Sequence, residues 1–445
     1  MTRHRFRFSA LAALLVLALA VLAAGCGDDG GGSTTSGGGG ASTQATDVRG
    51  SVSVIGIWTG DEQRSFQAVI DKFNETYPDV TVRYTSAGDN LPTVVGTAVE
   101  GGNPPDIATI AQPGLIRDFQ RRGALRPMDY ASDTISANYA PDFVRLGTID
   151  GRLYSFVFKG ANKSTVWYNV EAFRNAGVDD PGDWAEFLRN ARTLGASGVP
   201  AYSIAGADGW TLTDLFENIY LRQAGPDKYD QLSEHRIPWT DPSVRAALRT
   251  MAEVLGDRAN IVGGTQGALQ TEFPASVENV FVNPARGAQV IEGDFVPGVV
   301  AESTRLRAET GFNVYSFPEI GDSEDYVVGG GDSITTFRDT PAVRAFVEFL
   351  ASPEGATVWA ERGGFSSPNR GVSEDVYPDE ITKEVATAIA DARTFRFDMS
   401  DLAPAAFGGT PSQGEWKILQ DFLANPSDID GTAQALENAA ARAYR

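Results

Sequence analysis

The amino-acid sequence predicts an α/β fold in which helices cover a mostly parallel sheet. Short apolar runs with strand-like alternation are each followed by a longer run with helical spacing, and this order occurs three times in succession from Ser51 onward. The length of 445 residues, at roughly 150 residues per domain, indicates two or more packing units. These observations predict a large globular body built from strand–helix units.

The three strand–helix units also predict where a ligand binds. The first strand ends at Trp58 and precedes a helix over 61–77, the second ends near Tyr84, and the third spans 106–110. Ligands of parallel sheets bind beyond the carboxyl ends of the strands. We therefore expect the site at the loops after Trp58, after Tyr84 and around Ile110.

A second region continues the alternation without a further linker. The pattern predicts strands at 164–168, 311–317 and 332–337, and helices at 183–194, 212–222, 241–255 and after Thr340. No repeat or low-complexity segment follows residue 50. A division into two lobes must therefore use several short crossovers.

The composition excludes several kinds of site. The chain has 37 basic and 58 acidic residues, a net charge of −21. Without residues 1–25, which hold three arginines and no acid, 34 basic residues face 58 acidic ones, a net charge of −24. This sign works against binding to nucleic acid and to anionic lipid surfaces. Because Cys26 is the single cysteine and only His235 follows the leader, a thiolate metal site, a multi-histidine zinc site and a cysteine nucleophile are excluded.

The N-terminus has the layout of an export signal. Three arginines precede an apolar stretch over 11–24, which is too short to span a membrane comfortably, and Gly25 and Cys26 follow. The small residues before Cys26 resemble a bacterial lipobox. We expect residues 1–25 to be a lipoprotein signal peptide and Cys26 to be lipidated as the mature N-terminus; a plain secretory signal with an incidental cysteine is the alternative.

The segment 26–50 is predicted to be a flexible tether. Residues 30–46 contain only Gly, Ser, Thr, Ala and Gln, which cannot bury a core. A chain of this kind reaches roughly 25–30 Å by random-coil scaling. We therefore expect the body to be held near the outer face of the cell membrane yet free to tumble.

Six short motifs follow one another along the body. They are IWTG at 57–60, GNPPDI at 102–107, GRLY at 151–154, KSTVWYN at 163–169, GGGD at 329–332 and GGFSSPN at 363–369. In this order and spacing they resemble the extracellular solute-binding proteins of bacterial ABC importers, in the carbohydrate-binding class related to maltose-binding protein. The runs 163–169 and 263–269 are most similar to the α-glucoside-binding branch.

The resemblance implies a two-lobed, type II periplasmic-binding-protein-like fold with three interlobe crossovers. We expect lobe 1 to comprise 51–160 and 314–363, and lobe 2 to comprise 161–313 and 364–445. The crossovers are expected near 159–163, 311–314 and 363–365. Such a protein is a monomer that performs no chemistry and needs no cofactor. It encloses an oligosaccharide, here an α-glucoside such as a maltose-, trehalose- or sucrose-like sugar, and delivers it to the membrane permease.

A sugar site needs an aromatic platform for the C–H face and polar groups that satisfy the hydroxyls. The candidate aromatic residues are Trp58, Tyr168, Trp210, Phe365 and Trp416. The resemblance places Trp58 at the cleft and Trp416 at a stacking position, while Trp210 lies before a helix after a glycine-containing turn. Packing in the core is the alternative for each of them.

The candidate polar residues lie in turns, at strand ends and in the crossovers. They are Asp89, Asp106, Asn162, Lys163, Gly330, Gly331 and Asp332. The resemblance gives Asp89 the position of a sugar-hydroxyl acceptor, and the two glycines would admit backbone N–H groups to the ligand. Helix capping for Asp89, a structural cap for Asp106, an ion pair for Lys163 and a bare turn at Gly330–Gly331 are the alternatives.

Two other functions stay open at this point. A surface-anchored glycoside hydrolase needs only two carboxylates, which the 58 acidic residues can supply, although no nucleophile or acid motif stands out. The same fold could also serve a polyamine, which suits an acidic cleft with aromatic residues.

Overall fold

The computed structural model describes residues 47–445. The predicted signal peptide, Cys26 and all but the last four residues of the predicted tether lie outside the described residues. In the described part of the chain, no helix is long and apolar enough to cross a membrane.

The described chain forms strands and helices in alternation. The strands are β1 (Gly50–Gly56), β2 (Val80–Ser86), β3 (Ile107–Ile110), β4 (Thr148–Ile149), β5 (Arg152–Leu153), β6 (Ser155–Asn162), β7 (Thr165–Asn169), β8 (Gln289–Ile291), β9 (Phe312–Ser316), β10 (Tyr326–Thr336) and β11 (Thr394–Phe397). The helices are α1 (Gly60–Thr76), α2 (Leu91–Glu100), α3 (Pro113–Arg121), α4 (Ser132–Asn138), α5 (Pro141–Gly147), α6 (Val170–Ala176), α7 (Trp184–Ala196), α8 (Trp210–Ala224), α9 (Pro226–Ser233), α10 (Pro242–Leu255), α11 (Gly264–Ala268), α12 (Phe273–Phe281), α13 (Val296–Ser303), α14 (Pro341–Ala351), α15 (Pro353–Ala360), α16 (Glu380–Asp391), α17 (Met399–Leu402), α18 (Ala405–Gly408), α19 (Gly414–Ala424) and α20 (Ile429–Ala443).

The larger sheet has six strands. Its order is β11-β10-β3-β1-β2, and β6 also pairs with β10. The strands β1, β2 and β3 are parallel, whereas β10 runs antiparallel to β3 and β6. The three predicted strand–helix units are thus present as β1–α1, β2–α2 and β3–α3, and their strand ends meet at one edge of the sheet.

The smaller sheet has three antiparallel strands in the order β8-β7-β9. The second crossover was expected near 311–314, but β9 pairs with β7 along its whole length, with Val314 opposite Trp167 and Tyr315 opposite Val166. Because this pairing holds the segment in the smaller sheet, the chain leaves that sheet only after Ser316 and joins the larger one at Tyr326.

The two sheets pack into separate apolar cores. One core surrounds Trp58, Phe66 and Phe346 beneath the larger sheet, and the other surrounds Phe216, Leu248 and Leu419 beside the smaller sheet. This division supports two lobes, while the assignment of every residue to a lobe stays a prediction.

The first and third crossovers lie side by side. The amide of Gly160 donates to the carbonyl of Ser366 at 2.7 Å. Gly363 and Gly364 have φ values of +82° and +63°, a backbone region that favours glycine. The chain therefore turns here at positions where larger residues would be strained.

Candidate functional site

The loops at the carboxyl ends of β1, β2 and β3 face the elements of the second core. Arg64 in α1 pairs with Glu302 in α13 at 3.3 Å. A Cβ on Gly114 in α3 would lie 1.8 Å from the carbonyl oxygen of Ala403, so these two segments are in direct contact. The cleft at the strand ends, where the sequence predicts the ligand site, is therefore closed in this structure.

Trp210 forms the centre of an aromatic cluster in this cleft. It is the first residue of α8, and its ring centroid lies 5.5 Å from that of Phe273 and 5.9 Å from that of Phe295. The preceding Gly209 has a φ of +87°, and a Cβ there would come within 2.8 Å of the Cβ of Trp416. Glycine is thus required for the two tryptophans to lie side by side.

Asp89 approaches Trp210 from the side of the larger sheet. It lies in the turn Gly88–Asn90 after β2 and is half-buried, and no side chain caps the helix that follows. Burial raises the pKa of Asp89, and the nearby indole N–H of Trp210 lowers it in part. The structure therefore brings the predicted residues Asp89 and Trp210 together. Asp89 does not cap the following helix, so the capping alternative is wrong.

Asp208 was not among the predicted site residues, although it lies two positions before Trp210. Its Oδ2 accepts a hydrogen bond from the amide of Phe273 at 2.6 Å. Burial, together with the charges of Asp89 and Glu272, raises its pKa to about 7. The cleft thus holds a carboxyl group that takes up a proton near neutral pH.

This raised pKa predicts how stability depends on pH. The folded protein holds the Asp208 proton up to about pH 7, whereas an unfolded chain releases it near pH 4, so stability falls between these values as pH rises. We expect the variant Asp208→Asn to gain stability relative to the wild type across this interval. Urea midpoints measured from pH 4 to pH 8 test this; an unchanged difference between the two proteins across that range contradicts it.

Lys163 has a structural role that differs from the predicted donation to a sugar. Its Nζ lies 3.1 Å from Asp214 Oδ1, 2.5 Å from Asp398 Oδ2 and 3.6 Å from Asp401 Oδ2, and all four residues are buried. These carboxylates hold the pKa of Lys163 well above its usual value. Two N–H groups of the ammonium are hydrogen-bonded to Asp214 and Asp398, and the charge of Asp401 lies beside them, so the ion-pair alternative describes Lys163.

Asn162 also differs from expectation. Its side chain is buried, its Nδ2 donates to the carbonyl of Val385 at 3.2 Å, and its Oδ1 accepts from the amide of Ser164 at 3.0 Å. The side-chain amide of Asn162 therefore fixes the crossover, and Asn162 is not part of the proposed site.

The glycines 330 and 331 are required by packing within the sheet. They pair with Ala161 and Gly160 of β6. A Cβ on Gly330 would lie 2.9 Å from Cε of Lys163, and one on Gly331 would lie 2.7 Å from the carbonyl oxygen of Lys159. Glycine is therefore needed at these two positions because β6 and the side chain of Lys163 pack closely against them.

Trp58 is hydrogen-bonded to the half-buried Asp332. The Nε1 of Trp58 donates to Asp332 Oδ2 at 2.6 Å, and its ring packs against Phe66 and Trp359 with centroids 4.7 and 4.8 Å away. Trp58 is fully buried, so the core alternative describes it. Its place directly after β1 puts it at the strand end, but its side chain points into the core.

Three further candidates lie away from the cleft. Phe365 is buried against Trp359, Tyr168 stacks on Phe173 with centroids 4.1 Å apart, and Asp106 accepts hydrogen bonds from the amide and hydroxyl of Ser53. Asp106 stands at the amino end of β3, the end of the sheet remote from the cleft. These contacts correct the expectation that the three residues touch a ligand.

Several buried polar atoms at or beside the cleft have no hydrogen-bond partner among the described residues. They are Trp416 Nε1, Gln112 Oε1, Asp214 Oδ2 and Glu292 Oε2. Gln112 follows β3, so the strand-end rule indicated its loop, but nothing in the sequence distinguishes it or Glu292 from other polar residues. An unpartnered buried group costs about 1–3 kcal/mol, which a ligand with matching groups would recover.

The chain matches the family description "Bacterial extracellular solute-binding protein" over residues 59–357. It belongs to the bacterial extracellular solute-binding proteins. The predicted family is therefore confirmed. Two relatives align with most of the length of this solute-binding protein. The osmoprotective compounds-binding protein GgtB of Synechocystis sp. is 30% identical over 86% of this chain and 90% of its own. The alpha-glucosides-binding periplasmic protein AglE of Rhizobium meliloti is 31% identical over 87% of this chain and 86% of its own.

A solved structure confirms the two-lobed α/β fold of the solute-binding protein. The bacterial solute receptor AcbH, described with a substrate preference for β-D-galactopyranose, superposes with a TM-score of 0.78 at 19% identity. The match covers 89% of this chain and 100% of that one. The relatives are binding proteins.

Within residues 47–445, no group of His, Cys, Asp and Glu side chains is arranged to hold a metal ion.

Proposed function

We propose that this protein is the sugar-binding component of an ABC importer, that it takes an α-glucoside such as a maltose-, trehalose- or sucrose-like sugar, and that it delivers the sugar to the membrane permease. The observation that carries the proposal is the position of Trp210, which joins an aromatic cluster from one lobe to Asp89 from the other. The proposed site consists of Asp89, Gln112, Asp208, Trp210, Glu292 and Trp416.

The chemistry of the proposed site suits a neutral sugar. The exposed part of the Trp210 ring offers an apolar face for the C–H side of a pyranose. The unpartnered indole N–H of Trp416 can donate to a hydroxyl oxygen, and Gln112 Oε1 and Glu292 Oε2 can accept from hydroxyl hydrogens. A sugar hydroxyl both donates and accepts, so one ligand class satisfies both kinds of unpartnered atom.

The relatives narrow the proposed ligand. AglE carries the name of an alpha-glucosides-binding protein, and at 31% identity over most of both chains it supports an α-glucoside here. GgtB carries the name of an osmoprotective compounds-binding protein. We place the protein outside the cell, as a monomer anchored through a lipid on Cys26.

The proposed mechanism is a shift in population between open and closed lobes. A ligand that contacts both Asp89 and Trp210 binds the closed form more tightly, so it raises the closed fraction. The permease then receives the closed, loaded protein, and the sugar leaves chemically unchanged. Cleavage of a bound glucoside would instead support the glycoside hydrolase, and stabilisation by spermidine in place of sugars would support the polyamine receptor.

A thermal-shift screen with maltose, trehalose, sucrose and spermidine tests the proposal. We expect at least one sugar to raise the melting temperature of the wild type. For that sugar, Asp89→Asn should weaken binding roughly 10- to 100-fold, because a hydrogen bond to a charged group contributes about 1.5–3 kcal/mol.

The matched control for this screen is Asp106→Asn, at the opposite end of the same sheet. It should lower the melting temperature of the free protein and leave the sugar affinity unchanged, since Asp106 bonds to Ser53. Equal affinities for the Asp89 and Asp106 variants would contradict the proposed site.

A further inference from the structure

The segment 292–295, with the sequence Glu-Gly-Asp-Phe, touches both the proposed sugar site and two crossovers. At one end, Glu292 has an unpartnered Oε2, and its buried carboxyl group interacts electrostatically with Asp208 and Asp214. At the other end, Phe295 packs against Trp210. Asp294, between them, points the other way, towards the crossovers.

Asp294 is hydrogen-bonded to both crossovers at once. Its Oδ2 accepts from the amide of Asn162 in the first crossover at 3.0 Å and from the hydroxyl of Ser366 in the third. Its own amide donates to the carbonyl of Asn162 at 3.0 Å. The side chains of Asp294 and Ser366 are buried, so their hydrogen bonds form in a region of low dielectric constant, where they are strong.

The surrounding charges also cross between the lobes. Lys159 in β6 is buried, pairs with Glu62 of α1 at 3.1 Å, and lies 5.4 Å from the ring centroid of Phe295. The negative charges of Asp294 and Asp332 act on the same lysine. The hydrogen bonds of Asp294 thus belong to a network that contains side chains from both lobes.

We propose that Asp294 is a positioning residue for lobe closure, and that its hydrogen bonds to Asn162 and Ser366 couple the geometry of two crossovers to the segment that lines the sugar site. The effect on sugar binding rests on the proposed function, whereas the effect on the free protein does not. The other carboxylate oxygen, Oδ1, is buried without a partner among the described residues.

Spin labels on the ligand-free protein test the hinge directly. The full chain with Val94→Cys in α2 and Arg249→Cys in α10 carries one exposed label site on each lobe, and its natural cysteine, Cys26, is predicted to be blocked by lipid. We expect Asp294→Ala to shift the measured distance distribution towards longer, open distances. An unchanged distribution overturns the proposal, whatever ligand the protein binds.

Sugar dissociation tests the coupling and separates it from a loss of fold. For the sugar found by thermal shift, we expect Asp294→Ala to raise the dissociation rate about tenfold and to leave the association rate nearly unchanged. Ser366→Ala should act in the same direction. The double variant should be no worse than Asp294→Ala alone, because Asp294→Ala already removes the hydrogen bond that Ser366 makes. Additive effects of the two substitutions on the dissociation rate would overturn the shared role.

The control for general destabilisation is Asp183→Ala, which removes the N-cap of α7, where Asp183 Oδ1 accepts from the amide of Glu186 at 2.7 Å. It should lower the melting temperature and leave both the label distances and the dissociation rate unchanged. If it moves them as Asp294→Ala does, the proposal is overturned, because loss of stability alone then explains the effect. If no sugar binds, the proposed function fails, while the label distances still decide the hinge.

Discussion

Replacement of Lys163 by methionine is expected to destabilise the protein by about 3–5 kcal/mol, the cost of leaving buried charges without their partner. Lys163 contacts Asp214, Asp398 and Asp401, and these carboxylates come from α8 and the segment around α17. Methionine keeps the length of the side chain and removes the charge. Urea unfolding at pH 7 measures the effect as a lower midpoint.

The matched control is Lys417→Met, which removes an exposed lysine that pairs with Asp421 one turn away. Exposed pairs of this kind contribute about 0.3–0.5 kcal/mol, so the midpoint should hardly move. If both variants unfold at the same urea concentration, the buried cluster is not what holds α8 and α17 together.

Replacement of Trp210 by alanine is expected to weaken sugar binding by roughly 30-fold or more. Truncation of a central aromatic contact typically costs 2 kcal/mol or more, and a tenfold change in affinity corresponds to 1.4 kcal/mol. Trp210 is the largest partly exposed side chain of its cluster with Phe273 and Phe295. Calorimetric titration of wild type and variant with the same sugar measures the change.

The control for this substitution is Trp184→Ala. Trp184 begins α7, and its Nε1 donates to Glu253 at 2.7 Å away from the strand-end loops. It should cost stability and leave the dissociation constant unchanged. A Trp210 variant that binds as tightly as the Trp184 variant would remove the aromatic cluster from the site.

The sequence was sufficient to predict the three strand–helix units because hydrophobic periodicity is local. It also predicted the edge of the sheet at which Asp89 and Trp210 approach each other, since parallel strands end at one edge. The second crossover was placed too early, because nothing within 311–317 shows that the whole of β9 pairs with β7.

The direction of individual side chains could not be predicted in the same way. Trp58 lies two residues after the end of β1, yet its ring turns into the core towards Trp359, which lies about 300 positions further along the chain. Lys163 sits in a crossover as expected, but its partners Asp398 and Asp401 come from far along the chain and are visible only in three dimensions. Lone polar residues such as Gln112 and Glu292 carry no pattern at all.

Calorimetric titration of the full chain with maltose, trehalose and sucrose, followed by chromatography of the recovered sugar, tests the central claim most directly. The account predicts saturable binding of one sugar per protein, with that sugar recovered intact. Absence of binding to all three sugars, or recovery of a cleaved sugar, would contradict it.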